Sequence, residues 1–300
     1  MASSDTRLKA SIPHLERTAK EPRDNRLHKV VLNRIDQVND DIRLFRLAPV
    51  ESERGIMKFL PGQWLDVHVP TISKAGGFTI TSPPSFLTSS NPYVELAIQK
   101  SPSNPPAAWL WRPSEDILGS ELQVRVGGSF TWPPAHFQLK GRKLKRVVFV
   151  AGGVGINPLM SMLSQLVIDK DDFEVKFLYT TKDPGGSNLA QILFLERVEQ
   201  MIASLGDRGQ LKLFLTPRAY AISEDSRTSE DGQTSHAKKL SITKKRIGRE
   251  DLLQSLGPVE ERSGTACYVC GVPGMTDEFV DLAQKAEGMD PQNVFFEKWW

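Results

Sequence analysis

One short segment of this sequence combines the residue types that bind phosphate groups. Residues 148–158 read Val-Phe-Val-Ala-Gly-Gly-Val-Gly-Ile-Asn-Pro, so an apolar run ends at three closely spaced glycines. Glycine adopts positive φ values and lets a ligand approach the backbone. Asn157 suits the N-cap of a following helix and Pro158 its first turn, where unpaired N–H groups face an anion. The spacing is not G-x-G-x-x-G, and the plainer alternative is a tight strand-to-helix turn.

The cysteines and histidines give weaker signals of a functional site. Cys267 and Cys270 have the C-x-x-C spacing of thioredoxin-like redox motifs. They fall in a predicted strand, which points them to opposite faces, so the dithiol interpretation is disfavoured. Two cysteines are too few for a disulfide framework or a ferredoxin-type iron–sulfur cluster, and they indicate a reducing compartment. The five histidines show no metal-ligand spacing, and we predict no metal site.

Composition limits the function classes. A chain of 300 residues with 39% hydrophobic residues indicates a globular protein of about two domains. Lys and Arg number 38 against 36 Asp and Glu, which lacks the basic excess of a nucleic-acid-binding protein. No apolar run approaches the ~18 residues of a membrane-spanning helix. We therefore predict neither a nucleic-acid partner nor a membrane span, and the oligomeric state stays open.

The first half of the chain has the alternation of antiparallel strands. Residues 1–26 carry mixed charges and indicate a flexible, solvated tail. Residues 27–143 contain apolar residues with a period of two, most clearly at 63–69, 93–99 and 121–126, with glycine and proline turns between them. Short strands of this kind predict a small antiparallel β-barrel.

The second half, residues 144–300, alternates strands with helices and predicts a doubly wound parallel sheet. The predicted strands are 146–151, 174–179, 211–215, 266–270 and 294–296, with helices that include 189–205 and 275–286. A polar, charged run at about 223–245 interrupts this pattern and indicates an insertion.

The glycine-rich loop is one member of an ordered series of motifs. The others are Pro61-Gly62-Gln63, Gly127-Gly128-Ser129-Phe130, Cys270-Gly271-Val272-Pro273 and Phe296-Glu297-Lys298-Trp299-Trp300. From about residue 27 to the end, this series resembles the ferredoxin–NADP reductase superfamily. The resemblance implies a flavin-binding β-barrel followed by an α/β domain that binds a nicotinamide dinucleotide.

The resemblance also implies roles for individual residues. The residues that would cradle the dinucleotide pyrophosphate are Gly152, Gly153, Val154, Gly155, Ile156 and Asn157. Cys270 and Gly271 would lie near the nicotinamide, with Cys270 as a catalytic residue. Trp300 would cover the flavin, although a terminal tryptophan is equally explained as a hydrophobic anchor.

The flavin motifs depart from the family pattern. The family's Arg-x-Tyr-Ser/Thr aligns with Gly76-Gly77-Phe78-Thr79, so Phe78 would face the flavin ring and Thr79 its reacting edge. The arginine for the flavin phosphates is replaced by Gly76, and Ala107 replaces a second phosphate donor. Lys74, Lys100 and Arg112 are candidate substitutes, each equally explained as a surface residue. An FAD would be held differently, held weakly, or not bound at all.

The nucleotide is predicted to be NAD, with NADP as the alternative. Thr181-Lys182 follows the second strand of the sheet, where relatives that select NADP place a hydroxyl residue and an arginine. A lysine lacks the bidentate fork of arginine, and Arg218 is a further candidate for a 2′-phosphate contact.

We thus predict an NAD(P)H-dependent oxidoreductase that transfers hydride from NADH to a bound flavin and passes electrons to an unidentified acceptor. The alternative is a flavin-free NAD(P)-binding sensor or assembly protein without turnover. The resemblance and the basic residues of the N-terminus predict a mitochondrial location, with the cytoplasm as the alternative.

Overall fold

The structure of this chain, a computed structural model, describes residues 14–134, 143–170, 172–185, 188–217 and 240–298. The chain forms two compact units, and the main division falls between Pro133 and Pro134. The core of the predicted insertion, residues 223–239, lies outside the described residues.

The first unit is an antiparallel sheet of six strands, as predicted. The strands are β1 (His28–Asn39), β2 (Ile42–Pro49), β3 (Trp64–His68), β4 (Gly76–Thr79), β5 (Val94–Gln99) and β6 (Glu121–Gly127). They follow the order β4-β3-β6-β1-β2-β5, and a bridge between Ile80 and Leu96 joins the two outer strands. The sheet therefore closes into a barrel. Two short helices lie between β5 and β6, α2 (Pro105–Leu110) and α3 (Ser114–Ile117), and the N-terminal helix α1 (His14–Arg17) precedes β1.

The alternation along β3 shows how the barrel is built. Leu65, Val67 and Val69 face the core and are at most 4% exposed, as their period predicts. Trp64 and Asp66 lie on the opposite face, which the alternation assigns to solvent. Both are nevertheless buried, with exposures of 1% and 0%. Another segment of the chain must therefore cover this outer face.

That cover comes from the residues just before β1. His14, in α1, packs edge-on against the Trp64 ring with centroids 4.7 Å apart, and its Nε2 lies 3.0 Å from Asp66 Oδ1. Arg23 stacks on the other side of the cluster, 4.8 Å from the Trp64 ring centroid, and its Nε donates to Asp66 Oδ2 at 3.0 Å. This differs from the solvated tail predicted for residues 1–26, because residues 14–24 bury polar groups of the barrel.

Asp66 is the centre of this cluster. Arg125 on β6 also donates to its Oδ2, from Nη2 at 2.8 Å. Burial by itself raises the pKa of Asp66, but hydrogen bonds from His14 and Arg125 and the charge of Arg23 outweigh it, so the net pKa lies below its ordinary value. The carboxylate stays ionised at neutral pH and holds the N-terminal segment on the barrel.

The second unit is a six-stranded parallel sheet flanked by helices, again as predicted. The strands are β7 (Arg146–Gly152), β8 (Glu174–Lys182), β9 (Gly209–Thr216), β10 (Leu240–Thr243), β11 (Thr265–Cys270) and β12 (Val294–Glu297). The helices are α4 (Ile156–Asp169), α5 (Leu195–Ser204), α6 (Arg249–Leu256) and α7 (Pro273–Gln284). Strand β10 was missed by the sequence analysis because its four residues lie at the end of the polar run.

Strand β7 is the topological centre of this sheet. The order is β10-β9-β8-β7-β11-β12, so the chain builds outward from β7 in one direction and then in the other. All seven residues of β7 are buried, and the six that follow Arg146 form a continuous apolar run, as expected for a strand covered on both faces. In sheets of this kind, ligands bind at the carboxyl end of the strand where the order reverses. The glycine-rich loop follows β7 at that position.

We predict that replacing Asp66 with asparagine destabilises the protein. Loss of a buried carboxylate that pairs with several cations is expected to cost about 3 kcal/mol at pH 7. The pKa of Asp66 is lowered by folding, so its contribution is present above the unfolded-state value of ~3.9 and is lost as the pH falls through the folded-state value. Urea unfolding of the wild type and Asp66→Asn should be measured at pH 7 and at steps down to pH 3. The difference between their free energies of unfolding should become smaller as the pH falls.

Asp116→Asn is the matched control, since Asp116 pairs with Arg112 at 3.3 Å on the surface and is 44% exposed. That change is expected to cost less than ~1 kcal/mol at any pH. Equal effects of the two substitutions would contradict the role assigned to Asp66.

Candidate functional site

The glycine-rich loop turns directly from β7 into α4. Gly152 ends the strand, and Gly153 has a φ of +53°, a value that L side chains rarely adopt. Gly153–Gly155 form a single 3-10 turn that runs into α4 at Ile156. The predicted N-cap at Asn157 is therefore wrong, because the helical geometry starts before it and the cap position falls on Gly155. Asn157 lies in the first turn of α4 and is 7% exposed.

A second glycine-containing segment packs against this loop. A Cβ atom on Gly155 would lie 2.7 Å from the Gly271 Cα and would overlap the Cys270 carbonyl. A Cβ atom on Gly152 would lie 2.6 Å from Met275 Sδ. Gly155 thus requires glycine because backbone meets backbone, whereas at Gly152 a Cβ atom would mainly displace the flexible Met275 side chain. The structure brings the predicted loop and the predicted Cys270-Gly271 pair together at one edge of the sheet.

Met275 was missed by the sequence analysis. It lies in the first turn of α7, and its sulfur contacts the space beside both Gly152 and Gly271. A methionine near a helix start has no distinctive pattern, so no sequence signal singles it out. The unbranched thioether fills the gap between the two glycine segments.

This arrangement suits a diphosphate. The N–H groups of the first helical turn have no carbonyl partner within the helix, and the helix dipole places partial positive charge there. Helix α4 has 14 residues, so its dipole is fully developed. With Gly153 open on its Cβ side, where no atom lies within 4 Å, a phosphate can approach the backbone.

The cysteines of the C-x-x-C motif are buried and unreactive. Both are free and fully buried in β11, and only Cys267 belongs to the hydrophobic core cluster on one face of the sheet. Burial raises the pKa of Cys267 to about 12. Burial, and secondarily the charge of Glu297, raises the pKa of Cys270 well above its ordinary value. Both thiols are neutral at physiological pH, and the catalytic role of Cys270 stays a prediction.

The end of β8 lies beside the loop. Thr180 on β8 is the register partner of Gly152 on β7, so the residues that follow Thr180 lie at the same edge of the sheet. Lys182 is exposed there, and Asp183 comes next. The Asp183 carboxylate accepts a hydrogen bond from the Gly185 N–H at 2.9 Å and lies 3.5 Å from the Lys244 ammonium group. Arg218 lies outside the described residues.

The barrel lacks a comparable phosphate-binding site at the position that the resemblance assigns to the flavin phosphates. Gly76 stands where the family has its phosphate-binding arginine, and a Cβ atom there would lie 2.6 Å from the Phe78 ring and 2.8 Å from Pro106 Cβ. A Cβ atom on Gly77 would overlap the His14 ring. The glycine pair is therefore enclosed on both sides by the barrel's own residues. Phe78 packs against the barrel core, and Thr79 is 5% exposed.

The start of α2, the family's second phosphate site, lacks donors. Its first two residues are Pro105 and Pro106, which have no N–H group. The Ala107 N–H donates to Asn104 Oδ1 at 3.4 Å, and the Ala108 N–H donates to the Asn104 carbonyl at 2.8 Å. No N–H group of this turn remains for an anion.

The three cations considered as substitutes do not converge on this place. Lys100 lies over the Trp111 ring, 5.5 Å from its centroid, and Arg112 pairs with Asp116 at 3.3 Å. Lys74 is an exposed surface residue. The residues present thus do not fit the diphosphate of an FAD bound in the family's manner.

Other expectations concern residues at the margins of the site. Glu297 ends β12 as the register partner of Cys270, whereas Trp299 and Trp300 lie outside the described residues. Among the residues the structure describes, no three His, Cys, Asp or Glu side chains come together as a metal site requires. No helix in the described part of the chain is long and apolar enough to cross a membrane.

Comparison with known proteins places these features in context. The family model described as oxidoreductase NAD-binding domain matches residues 149–281. The chain is 30% identical to oxidoreductase NAD-binding domain-containing protein 1 of Xenopus laevis over 297 residues, which covers 96% of this chain and 84% of the relative.

Two solved structures share the fold. The CS-b5R domains of human Ncb5or in the NAD+ form match with a TM-score of 0.66 at 18% identity, over 91% of this chain and 70% of that one. The flavohemoglobin of Malassezia yamatoensis, solved with bound FAD and heme, matches with a TM-score of 0.65 at 16% identity. The match covers 94% of this chain but only 62% of the flavohemoglobin, which is therefore a longer protein.

We predict that Gly155→Ala disrupts the loop. The added methyl group meets the backbone of Cys270 and Gly271, which cannot move without shifting β11, so a loss of about 2–3 kcal/mol in unfolding free energy is expected. NADH affinity should fall at least tenfold as the loop is displaced. Thermal unfolding and a fluorescence titration with NADH measure the two effects.

Gly274→Ala is the matched control in α7. A Cβ atom there meets no atom within 4 Å, and its φ does not lie in the left-handed region. Its stability should be unchanged or slightly raised, since alanine is the better helix former. A Gly155→Ala protein as stable as Gly274→Ala would show that the close backbone approach is not a constraint.

Proposed function

This chain belongs to the family of oxidoreductase NAD-binding domain-containing protein 1, and we propose that it is an NADH-dependent oxidoreductase whose hydride acceptor is not a resident, diphosphate-anchored FAD. The observation that carries the proposal is the glycine-rich loop at the carboxyl end of β7, enclosed by Cys270 and Gly271. That an NAD(P)H-dependent oxidoreductase activity goes with this fold is supported by the matched family model.

The residues of the loop act by binding and orientation. The backbone of Gly153–Gly155 and the start of α4 hold the dinucleotide pyrophosphate. The segment Cys270-Gly271 then lies beside the bound nucleotide, where the neutral thiol of Cys270 supplies an apolar contact and excludes water. The nicotinamide carries the chemistry, because its C4 gives up a hydride to the acceptor. The protein contributes placement, and no side-chain proton has to move in that step.

The hydride acceptor is inferred from the phosphate positions of the barrel. The flavohemoglobin relative of this fold holds FAD, but here Gly76 supplies no cation and the α2 turn supplies no N–H donor. We therefore propose an acceptor that exchanges with solvent or belongs to a partner. The roles of Phe78 and Thr79 at a flavin ring, and of Trp300 as its cover, stay predictions.

A second candidate function is a dinucleotide-binding sensor or assembly protein without turnover. The specific observation in its favour is the closure of Gly76 and Gly77 by Phe78, Pro106 and His14. A barrel that is fully built but closed at the flavin-phosphate position is compatible with a scaffold for a partner. The two functions differ in whether NADH is consumed.

The preference for NADH over NADPH is proposed from the end of β8. The Asp183 carboxylate lies three residues past Thr180, which is in register with the loop glycine Gly152. The carboxylate pairs with the exposed Lys244 ammonium group at 3.5 Å, but solvent screens such a surface pair. The carboxylate therefore still repels a 2′-phosphate and accepts hydrogen bonds from a free ribose hydroxyl.

Mitochondrial localisation is also part of the proposal, with the cytoplasm as the alternative. Because His14 is buried against the barrel, any targeting segment removed after import would have to end before it. Imaging of the tagged chain together with mapping of the mature N-terminus distinguishes the two locations.

The central prediction concerns the purified full chain. We expect a protein without flavin absorbance after gel filtration, which binds NADH and oxidises it when a diffusible acceptor such as free flavin or ferricyanide is supplied. Absorbance spectra and the decrease at the NADH band, with and without acceptor, measure both properties. Gly155→Ala serves as the control with weakened NADH binding.

Each other outcome decides a separate point. Stoichiometric yellow FAD that survives gel filtration would contradict the argument from Gly76 and the α2 turn. NADH binding without turnover for any acceptor would overturn the oxidoreductase and favour the sensor. Absence of NADH binding would overturn both functions.

We further predict that Asp183→Asn shifts the nucleotide preference. Removal of the charge should lower the ratio of kcat/KM for NADH over NADPH by about tenfold, since NADPH gains most. Asp207→Asn is the matched control, because Asp207 lies just before the amino end of β9, at the opposite edge of the sheet. Equal ratios in both variants and the wild type would show that Asp183 does not read the 2′ position.

A further inference from the structure

A cavity on the barrel, apart from every residue discussed above, is lined by cationic side chains. Its volume is about 300 Å³. The polar side chains that line it are Asn33, Arg34, Arg46, Arg54, Asn91 and Tyr93. Among the described residues that line this cavity, three are arginines and none is acidic. We refer to it as the arginine cavity.

The backbone fixes two of the arginines against each other. Arg34 on β1 and Arg46 on β2 are direct register partners, just after an irregularity between Leu32 and Arg34. Like charges at opposed positions of an antiparallel pair are destabilising. The third arginine, Arg54, follows the 3-10 turn Glu51–Glu53 that comes directly after β2. Three chain segments thus bring positive charge to one place.

Each of the three arginines has one acidic neighbour, and in each case the contact is made by Nε, which leaves the outer nitrogens available. Arg34 donates from Nε to both carboxylate oxygens of Asp36, at 3.0 and 2.7 Å. The Nε of Arg54 lies 3.1 Å from Glu51 Oε2. In the described part of the chain, the Nη groups of Arg34, Arg46 and Arg54 make no hydrogen bond. These Nη groups are the bidentate end of a guanidinium fork.

The Arg46 guanidinium group is held in place, but its hydrogen-bonding capacity is not used. Its Nε is buried, has no hydrogen-bond partner among the described residues, and lies 3.7 Å from Glu95 Oε2. A direct hydrogen bond to a charged oxygen would be about 2.7–2.9 Å. The guanidinium group stacks on Tyr93, 4.5 Å from the ring centroid. Glu95 itself accepts a hydrogen bond from Thr81 Oγ1 at 3.1 Å.

We propose that the arginine cavity binds a small phosphate-bearing molecule. A tetrahedral phosphate offers enough acceptor oxygens for three guanidinium groups at once, whereas a carboxylate offers two. Asn33 and Asn91 can donate further hydrogen bonds from their side-chain amides. The volume is at the lower end for ligand pockets, which fits a single phosphorylated metabolite and not a dinucleotide. The site is independent of the nicotinamide loop and of the proposed oxidoreductase function.

The test is a titration of the full chain with pyrophosphate and with inorganic phosphate. Saturating NADH is present throughout so that the glycine-rich loop is occupied and does not compete for the probe. Calorimetry gives the affinity, and NMR shifts of the Asn33 and Asn91 side-chain amides report the position. Arg54→Gln removes one fork, and its 52% exposure means that the barrel still folds. We expect it to weaken pyrophosphate binding by about tenfold or more.

Lys29→Gln is the matched control, because Lys29 is also 52% exposed on β1, pairs with Glu121, and does not line the cavity. The affinity of Lys29→Gln for pyrophosphate should stay within about twofold of that of the wild type. Absence of binding by either probe at millimolar concentration would overturn the proposal. So would an equal loss in Lys29→Gln and Arg54→Gln, which would indicate general attraction to a basic surface.

Discussion

The close approach of two backbone segments at the carboxyl edge of the parallel sheet governs the nucleotide unit. Gly155 and Gly152 meet Cys270, Gly271 and Met275 with no room for a single Cβ atom. This approach fixes where α4 begins and aims its first turn at the edge where the strand order reverses. The same contact places the Cys270 carbonyl beside the loop. A phosphate site made from backbone N–H groups needs no charged side chain, so the loop can be surrounded by apolar residues.

The barrel depends on a different constraint, the buried carboxylate of Asp66. Two arginines and the His14 ring converge on it, and Arg23 and His14 come from the segment that precedes β1. Because His14 then lies against Gly77, the docked segment also limits what β4 can carry. The glycine pair at 76–77 is thus explained by the local packing. Docking of the N-terminal segment accounts for Gly77, whereas Gly76, at the position of the family's arginine, is enclosed by Phe78 and Pro106.

The anion sites proposed for the two units differ in the kind of donor they present. The loop after β7 presents uncharged donors and a helix dipole, whereas the site proposed at the arginine cavity presents three guanidinium groups with an aromatic support. The position where relatives of this fold would place flavin phosphates has neither. At the start of α2, two prolines lack N–H groups, and the next N–H group donates to the Asn104 side chain. The donors that a helix start normally offers to an anion are therefore absent or already paired. The described residues of this turn therefore leave no N–H donor for an anion, although the barrel itself is complete.

The sequence determined the features that depend on local pattern. Period-two alternation predicted the core face of β3, a continuous apolar run predicted the central strand β7, and three glycines predicted the strand-to-helix turn. These signals are local because each strand and turn selects residues within a few positions. Only the tertiary structure decided that Trp64 and Asp66 are buried, since their partner His14 lies 52 residues before Asp66 in sequence. It also decided that Arg34, Arg46 and Arg54 share one cavity, that Met275 joins the loop, and that α4 starts before Asn157. Such outcomes depend on strand register and on contacts between distant segments, which no local pattern encodes.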